Sequence, residues 1–375
     1  MQITFAILVA LLQFATTVSA VHGRHWRRAQ HGNAGNASCT VTCFDDIAKV
    51  KGRCTSITIG DLEVPAGKTL DLTKLKDGTS VLFTGLVTFG YKPWAGPLVS
   101  VSGTNIIVTG KPGHLLDGGG ARWWDGKGSN GGKTKPKFFF ARSLTSSVLK
   151  GLNIRNTPVH CFSIGGSKDL LIDSVTIDNK DGDKGDLGHN TDGFDVGSSS
   201  GIIINNATVY NQDDCLAINS GRNITFTNGY CSGGHGLSIG SVGNRADNVV
   251  QDVLISSSTV VNSAQALRIK TIHGATGSVS NITYSNIKLA GITKYGIVIQ
   301  QDYLNGSPTG EPTAGVPIKH VTFSRVTGTL ATGAKNKYIL CASCSNFNFS
   351  NVKLVSATGL PPKSVCKGAP SGVPC

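Results

Sequence analysis

The chain is written in short runs that alternate apolar and polar residues. Residues 146–156 (SSVLKGLNIRN), 169–179 (DLLIDSVTIDN), 201–211 (GIIINNATVYN), 249–263 (VVQDVLISSSTVVNS) and 318–329 (IKHVTFSRVTGT) all follow this pattern and close on Asn, Gly, Ser or Thr. A period of two is that of a strand with one buried face. The runs resemble one another, and their ends recur every ~20 to ~35 residues, which is the mark of a solenoid. Such intervals are too short for crossover helices, so a doubly wound sheet is disfavoured. An antiparallel sandwich would need two-residue Asn-Gly turns between strands, and these are sparse. The pattern therefore predicts an all-β, single-domain parallel β-helix whose coils rise ~4.8 Å each. One segment departs from it: in Thr42–Lys51, Phe44, Ile47 and Val50 fall at i, i+3 and i+6, with Asp45 and Asp46 at the start. That spacing predicts a short N-terminal helix, placed to cap an open coil end.

Composition agrees. The 48 Gly suit a chain that turns a corner at every coil. Charged residues are only 15%, which disfavours helical bundles, and 39% hydrophobic content disfavours disorder. The net charge of +13 reflects scarce acids, 22 against 35 Lys and Arg. No motif or basic cluster of a nucleic-acid binder accompanies it, so the surplus fits a chain that meets some other polyanion.

The N-terminus reads as a leader. Residues 1–20 carry an apolar run from Ile3 and end on Val18-Ser19-Ala20, as a signal peptide does. The run is too short for a membrane span. Residues 21–28 end on the dibasic Arg27-Arg28 and read as a propeptide, leaving 29–375 as the catalytic domain. Removing 1–28 takes three Arg and no acid, which lowers the charge from +13 to +10. Secretion makes disulfides the expected state of the ten Cys. Six sequons stand at Asn36, Asn206, Asn223, Asn281, Asn305 and Asn348.

In a solenoid, residues one coil apart in sequence are neighbours in space. Asn190-Thr191-Asp192, Asp213-Asp214, Gly234-His235-Gly236 and Arg268-Ile269-Lys270 stand at such intervals. Asp192 to Asp213 and Asp214 to His235 are 21 residues each, while His235 to Arg268 and Lys270 to Tyr303 are 33 each. Arg268 and Lys270 share one face of a strand, ready to hold a carboxylate. Asp213 and Asp214 would diverge in a flat strand, so both reach one cleft only if the backbone bends there. Repulsion among three neighbouring carboxylates should raise at least one pKa and leave a proton to donate, with His235 pulling the other way. An acid and a water-activating base are the parts of glycoside hydrolysis, and adjacent cations point to an acidic sugar.

At these residues the sequence resembles the polygalacturonases of glycoside hydrolase family 28, the fungal endo-acting members above all. The likeness rests on Asn190-Thr191-Asp192-Gly193-Phe194-Asp195, Gln212-Asp213-Asp214-Cys215, Gly234-His235-Gly236-Leu237-Ser238-Ile239-Gly240, Arg268-Ile269-Lys270-Thr271 and Gln300-Gln301-Asp302-Tyr303. It implies a right-handed parallel β-helix and inverting endo-hydrolysis of α-1,4-galacturonosyl linkages in polygalacturonate (de-esterified pectin). By position it makes Asp213 the general acid, Asp192 and Asp214 the activators of water, and His235 a tuner of the acid. Asn190, Arg268, Lys270 and Tyr303 become the binders of galacturonate. One rung of ~4.8 Å is short of the ~6.5–9.5 Å usual between inverting carboxyls, a spacing that two bases sharing one water would relax. The resemblance also implies the disulfides Cys39–Cys54, Cys215–Cys231, Cys341–Cys344 and Cys366–Cys375, and leaves Cys43 and Cys161 over.

The expectation is a secreted, extracellular, monomeric enzyme that needs no metal or cofactor and engages neither nucleic acid nor membrane. The alternatives are an exo-polygalacturonase, a rhamnogalacturonan hydrolase, a calcium-dependent β-helix pectate lyase, or a non-catalytic carbohydrate-binding solenoid. The intact Gly-His-Gly and Arg-x-Lys motifs speak against the second, and the acid triad speaks against the last. Within 121–138, Lys133, Lys135 and Lys137 are offered to pectate, while Trp123 and Trp124 read as packing. The acidic run 181–186 has a Gly where a third calcium ligand belongs and reads as a solvated loop.

Overall fold

The computed structural model describes residues 38–305, 308–359 and 362–375. The leader, the propeptide and the Asn36 sequon lie outside them. The alternating runs become strands, and every pairing between described strands is parallel. The chain coils through three stacked strand columns as a right-handed parallel β-helix. The column that matters for function runs through Phe139–Lys150, Phe162–Gly165, Phe194–Gly197, Leu216–Ile218, Leu237–Val242, Gln265–Ile272, Tyr295–Tyr303 and Lys335–Leu340.

Register fixes which side chains stack. Phe139, Phe162 and Phe194 lie one above another, with ring centroids 4.9 and 5.2 Å apart, and Leu216, Leu237, Leu267 and Ile297 continue the row. All seven are fully buried. A second row in another column stacks Tyr284, Phe323 and Phe349 at 5.1 and 4.8 Å. The buried alternate positions thus form one continuous apolar core, while the other alternation faces outward. Removing apolar area from water, at ~25 cal/mol per Å², drives each coil onto the last.

Corners are turned by residues in the left-handed region. Asn206 and Asn228 adopt φ of 53° and 56°, and the first donates through Nδ2 to Ser174 Oγ one coil away. Asn and Gly tolerate that conformation because a short polar side chain or none relieves the clash with the carbonyl. The N-terminal helix begins later than the periodicity predicts. A 3₁₀ turn occupies Phe44–Asp46 and the α-helix spans Ile47–Arg53, burying Ile47 and Val50 against the first coils. Among the described residues, no helix is long and apolar enough to cross a membrane. Four disulfides join Cys39 to Cys54, Cys215 to Cys231, Cys341 to Cys344 and Cys366 to Cys375. Cys43 is free and exposed; Cys161 is free and fully buried.

Candidate active site

The site lies on the outer face of the column just described. Asp192 precedes the strand Phe194–Gly197, and Asp213 and Asp214 fall between Thr208–Asn211 and Leu216–Ile218, where the chain bends. One buried side chain holds that bend. Asn211 Nδ2 donates to the carbonyls of Thr191 (3.1 Å), Asp213 (2.9 Å) and Asp214 (3.0 Å). The Cys215–Cys231 disulfide ties its far side to the coil above. Gly234 is required next to it. Its φ is +59°, and a Cβ there would lie 2.0 Å from the Asp213 carbonyl oxygen.

The bend sends the two carboxylates to different partners. Asp213 Oδ1 lies 2.9 Å from His235 Nδ1 and accepts the Asp214 backbone N–H at 2.7 Å. Its Oδ2 accepts from Asn190 Nδ2 at 3.0 Å. Asp214 Oδ1 accepts from Ser238 Oγ at 2.7 Å and Arg268 Nη2 at 2.8 Å, and Oδ2 accepts from Lys270 Nζ at 2.8 Å. Ser238 also takes Arg268 Nε at 3.2 Å, which fixes the guanidinium. Arg268 and Lys270 therefore stand side by side on one face, as the i, i+2 spacing predicts, but both are spent on Asp214 and largely buried. Lys270 Nζ sits 5.0 Å from the centroid of the Tyr303 ring, which brings the last of the predicted residues to the site.

Protonation follows these contacts. Burial pushes Asp192 well above the ordinary carboxylate range, and the charges of Asp213, Asp195 and Asp214 push it further, against a pull from Lys270. Burial also opposes ionisation of Asp213, but the hydrogen bond and charge of His235, then Lys270 and Arg268, outweigh it and hold Asp213 below its usual range. Asp214 is likewise penalised by burial and held low by Arg268 and Lys270. The expected raised carboxylate is thus Asp192. In the resting site Asp213 is drawn toward its charged form, the opposite of what a loaded general acid requires.

Two groups missed in the sequence complete the floor. His160 faces Asp192 Oδ1 through Nε2 at 3.8 Å and Asp195 Oδ2 through Nδ1 at 3.2 Å. Burial raises Asp195 as well, partly offset by His160 and Lys137. The available signal was spacing: His160 lies 32 residues before Asp192, one coil step. Elsewhere, Trp123 and Trp124 pack inside, donating to the carbonyls of Lys92 and Thr157. Lys135 is buried on Asp125 at 2.8 Å, so it is not on offer to a polyanion. In the acidic run, Asp181 binds Asn156 and Lys184, and Asp183 accepts from Gln212.

Known proteins share this arrangement at the level of sequence and fold. Endopolygalacturonase 1 of Colletotrichum lindemuthianum is 58% identical over 336 residues, covering 90% of this chain and 92% of its own. The polygalacturonase of Cochliobolus carbonum is 55% identical over 375 residues, the whole of both chains. The solved endopolygalacturonase I of Stereum purpureum, complexed with two galacturonates, superposes with a TM-score of 0.75 at 36% identity, covering 88% of this chain and 99% of its own. The profile of the glycosyl hydrolases family 28 matches residues 54–375. With its stacked coils and clustered carboxylates, the chain belongs to glycosyl hydrolases family 28.

Proposed function

We propose that the chain is an endo-acting hydrolase of α-1,4-galacturonosyl linkages in polygalacturonate. The observation that carries the reading is that carboxylates from two neighbouring coils gather on one face with the paired cations Arg268 and Lys270. A galacturonate carboxylate offers the chemistry to which those cations already bind, since each now holds a carboxylate oxygen of Asp214. The endopolygalacturonase names of highly identical relatives support the endo mode over the exo alternative.

In this reading Asp213 protonates the leaving oxygen, Asp192 and Asp214 activate water, and the anomeric centre inverts. His235 tunes Asp213, and Asn190, Arg268, Lys270 and Tyr303 bind galacturonate around the scissile bond. The resting protonation pattern then becomes part of the mechanism. His235 first, and then Lys270 and Arg268, hold Asp213 low against the effect of burial. When the substrate's own carboxylates draw on these cations, that hold weakens and Asp213 gains proton affinity as the sugar arrives. Asp192 must ionise to serve as base. The proton directions of the resting site favour a second reading with these roles exchanged, Asp192 as donor.

The N-terminal apolar run and the four disulfides support a secreted enzyme. We assign the signal peptide to 1–20, the propeptide to 21–28 and the catalytic domain to 29–375, working as a monomer. The test is polygalacturonate with chelator, followed by viscosity, reducing ends and unsaturated products. Early viscosity loss without unsaturated ends supports endo-hydrolysis, and chelator-sensitive unsaturated ends overturn it. Asp213→Asn should lower turnover by ~10²–10⁴-fold yet recover on an oligogalacturonide with an activated aryl leaving group. Recovery of Asp192→Asn instead would assign the donor to Asp192.

A further inference from the structure

Beneath the proposed carboxylates, three polar atoms are buried and lack a hydrogen-bond partner: His160 Nδ1, Asp192 Oδ1 and Asp195 Oδ2. They converge on one another. The imidazole of His160 lies between the two carboxyls, with a different ring nitrogen turned to each. A neutral ring carries one N–H, so one of its nitrogens would then present a lone pair to a carboxylate oxygen. Only a ring with both protons in place offers a donor to each side. A buried polar atom without a partner costs on the order of 1–3 kcal/mol, so the approach of the ring to the two carboxyls bears on their ionisation.

We infer that His160 is a positioning residue that, from its seat between Asp192 and Asp195, favours ionisation of Asp192 and aims that carboxylate at the reacting sugar. The inference rests on the reading of Asp192 as a catalytic carboxylate. His160 is well placed for it: the Phe138 N–H donates to its carbonyl, and the next residue, Cys161, donates its N–H to the Asp192 carbonyl. The ring therefore rides on the coil directly below Asp192. Other charges bear on the pair. Asp213, Asp214 and Lys270 act on Asp192, while Lys137 and Arg245 face Asp195, as does the buried Cys161 thiol. None of these six lies between the two carboxyls as the His160 ring does. Asp192 has three neighbouring anions, Asp213, Asp195 and Asp214, with Lys270 opposing them.

The test is the pH profile of kcat and kcat/KM on polygalacturonate for three full-length variants. His160→Gln removes the basic ring, so Asp192 holds its proton to higher pH and the acidic limb should move up by about 1 pH unit. Asp195→Asn removes a competing anion and should move the same limb down. The double variant should return it toward its original place. These opposed shifts are what a structural role would not produce; lost packing lowers kcat at every pH and leaves the limb still. An unmoved or downward limb in His160→Gln, or an upward one in Asp195→Asn, overturns the inference. Should His160→Gln fold poorly, His160→Asn, which also removes the basic ring, should move the limb up in the same way. Asp192→Asn separates the two levels. Inactive Asp192→Asn with an unmoved His160→Gln limb sinks only the His160 bridge, whereas active Asp192→Asn sinks the reading beneath it.

Discussion

Asn211 offers a sharp test of why two adjacent aspartates can reach one cleft. Its Nδ2 serves three carbonyls at 2.9–3.1 Å, yet an amide has only two hydrogens, so the three contacts amount to about two bonds. At ~1 kcal/mol net per bond, with carbonyls left buried on truncation, Asn211→Ala should lose about 2–4 kcal/mol. One term works the other way. The Asn211 Oδ1 is buried without a partner, and removing it relieves a cost of about 1 kcal/mol. The balance is a loss of about 2 kcal/mol. Asn211→Asp keeps the shape but sets an acceptor against three carbonyls, and it should lose more than Ala does. Activity should fall with stability, because a bend relaxed by ~1 Å misplaces both aspartates and costs on the order of 10²-fold in kcat. Urea unfolding followed by tryptophan fluorescence, beside a reducing-end assay, reads both. If shape rather than donation held the bend, Asn211→Asp would be the milder change. That order, or an Ala variant with unchanged stability and kcat, refutes the argument.

Two further outcomes follow from buried groups. Asp192 is held above its unfolded pKa of ~3.9, so its contribution to stability is full below that value and is lost as pH rises through the folded pKa. Asp192→Asn should therefore flatten the decline of Tm toward neutral pH measured by calorimetry, and an unchanged decline would refute the assignment. Cys161 is fully buried, and its thiol is pushed well up by burial and by Asp195, while Cys43 is exposed. A disulfide-forming thiol reagent should label one cysteine in the folded enzyme and two in denaturant, and fast labelling of both in the native state would contradict the structure.

The β-helix was legible because every coil repeats the same physical problem. Runs such as 201–211 must bury alternate side chains and then turn, so alternation and terminal Asn or Gly appear together. Asp192, Asp213, Asp214, His235, Arg268 and Lys270 could be placed on one face because coil length converts sequence interval into height. The bend at Asp213 and Asp214 was legible as a requirement, since a flat strand would part them. Its cause was not, because nothing in Asn211 announces that one amide will gather three carbonyls. The N-terminal helix was displaced because Phe44–Asp46 closes a tighter 3₁₀ turn first, which a three- to four-residue period does not distinguish. The Nδ2 groups of Asn206 and Asn281 hydrogen-bond Ser174 and Asp252 one coil away, which ties the side chains of two sequons to corner structure.

Pairing was harder to read than position. Arg268 and Lys270 look like free cations in sequence, yet Asp214, two coils below, holds both. That choice arranges the charge of the whole floor. With two cations bonded to Asp214 and His235 bonded to Asp213, the neighbouring aspartates are held low, while Asp192, raised first by burial, also takes their repulsion on a coil that carries no cation of its own. His160, one coil lower, is the basic side chain seated between Asp192 and Asp195. An anionic sugar entering this site meets cations already engaged with a carboxylate. If Arg268 and Lys270 bind the substrate's carboxylates as proposed, binding exchanges one carboxylate partner for another, and the exchange alters the proton affinity of the aspartates that the cations leave. Under that proposal, recognition of the acidic substrate and readiness of the acid are coupled through the same two side chains.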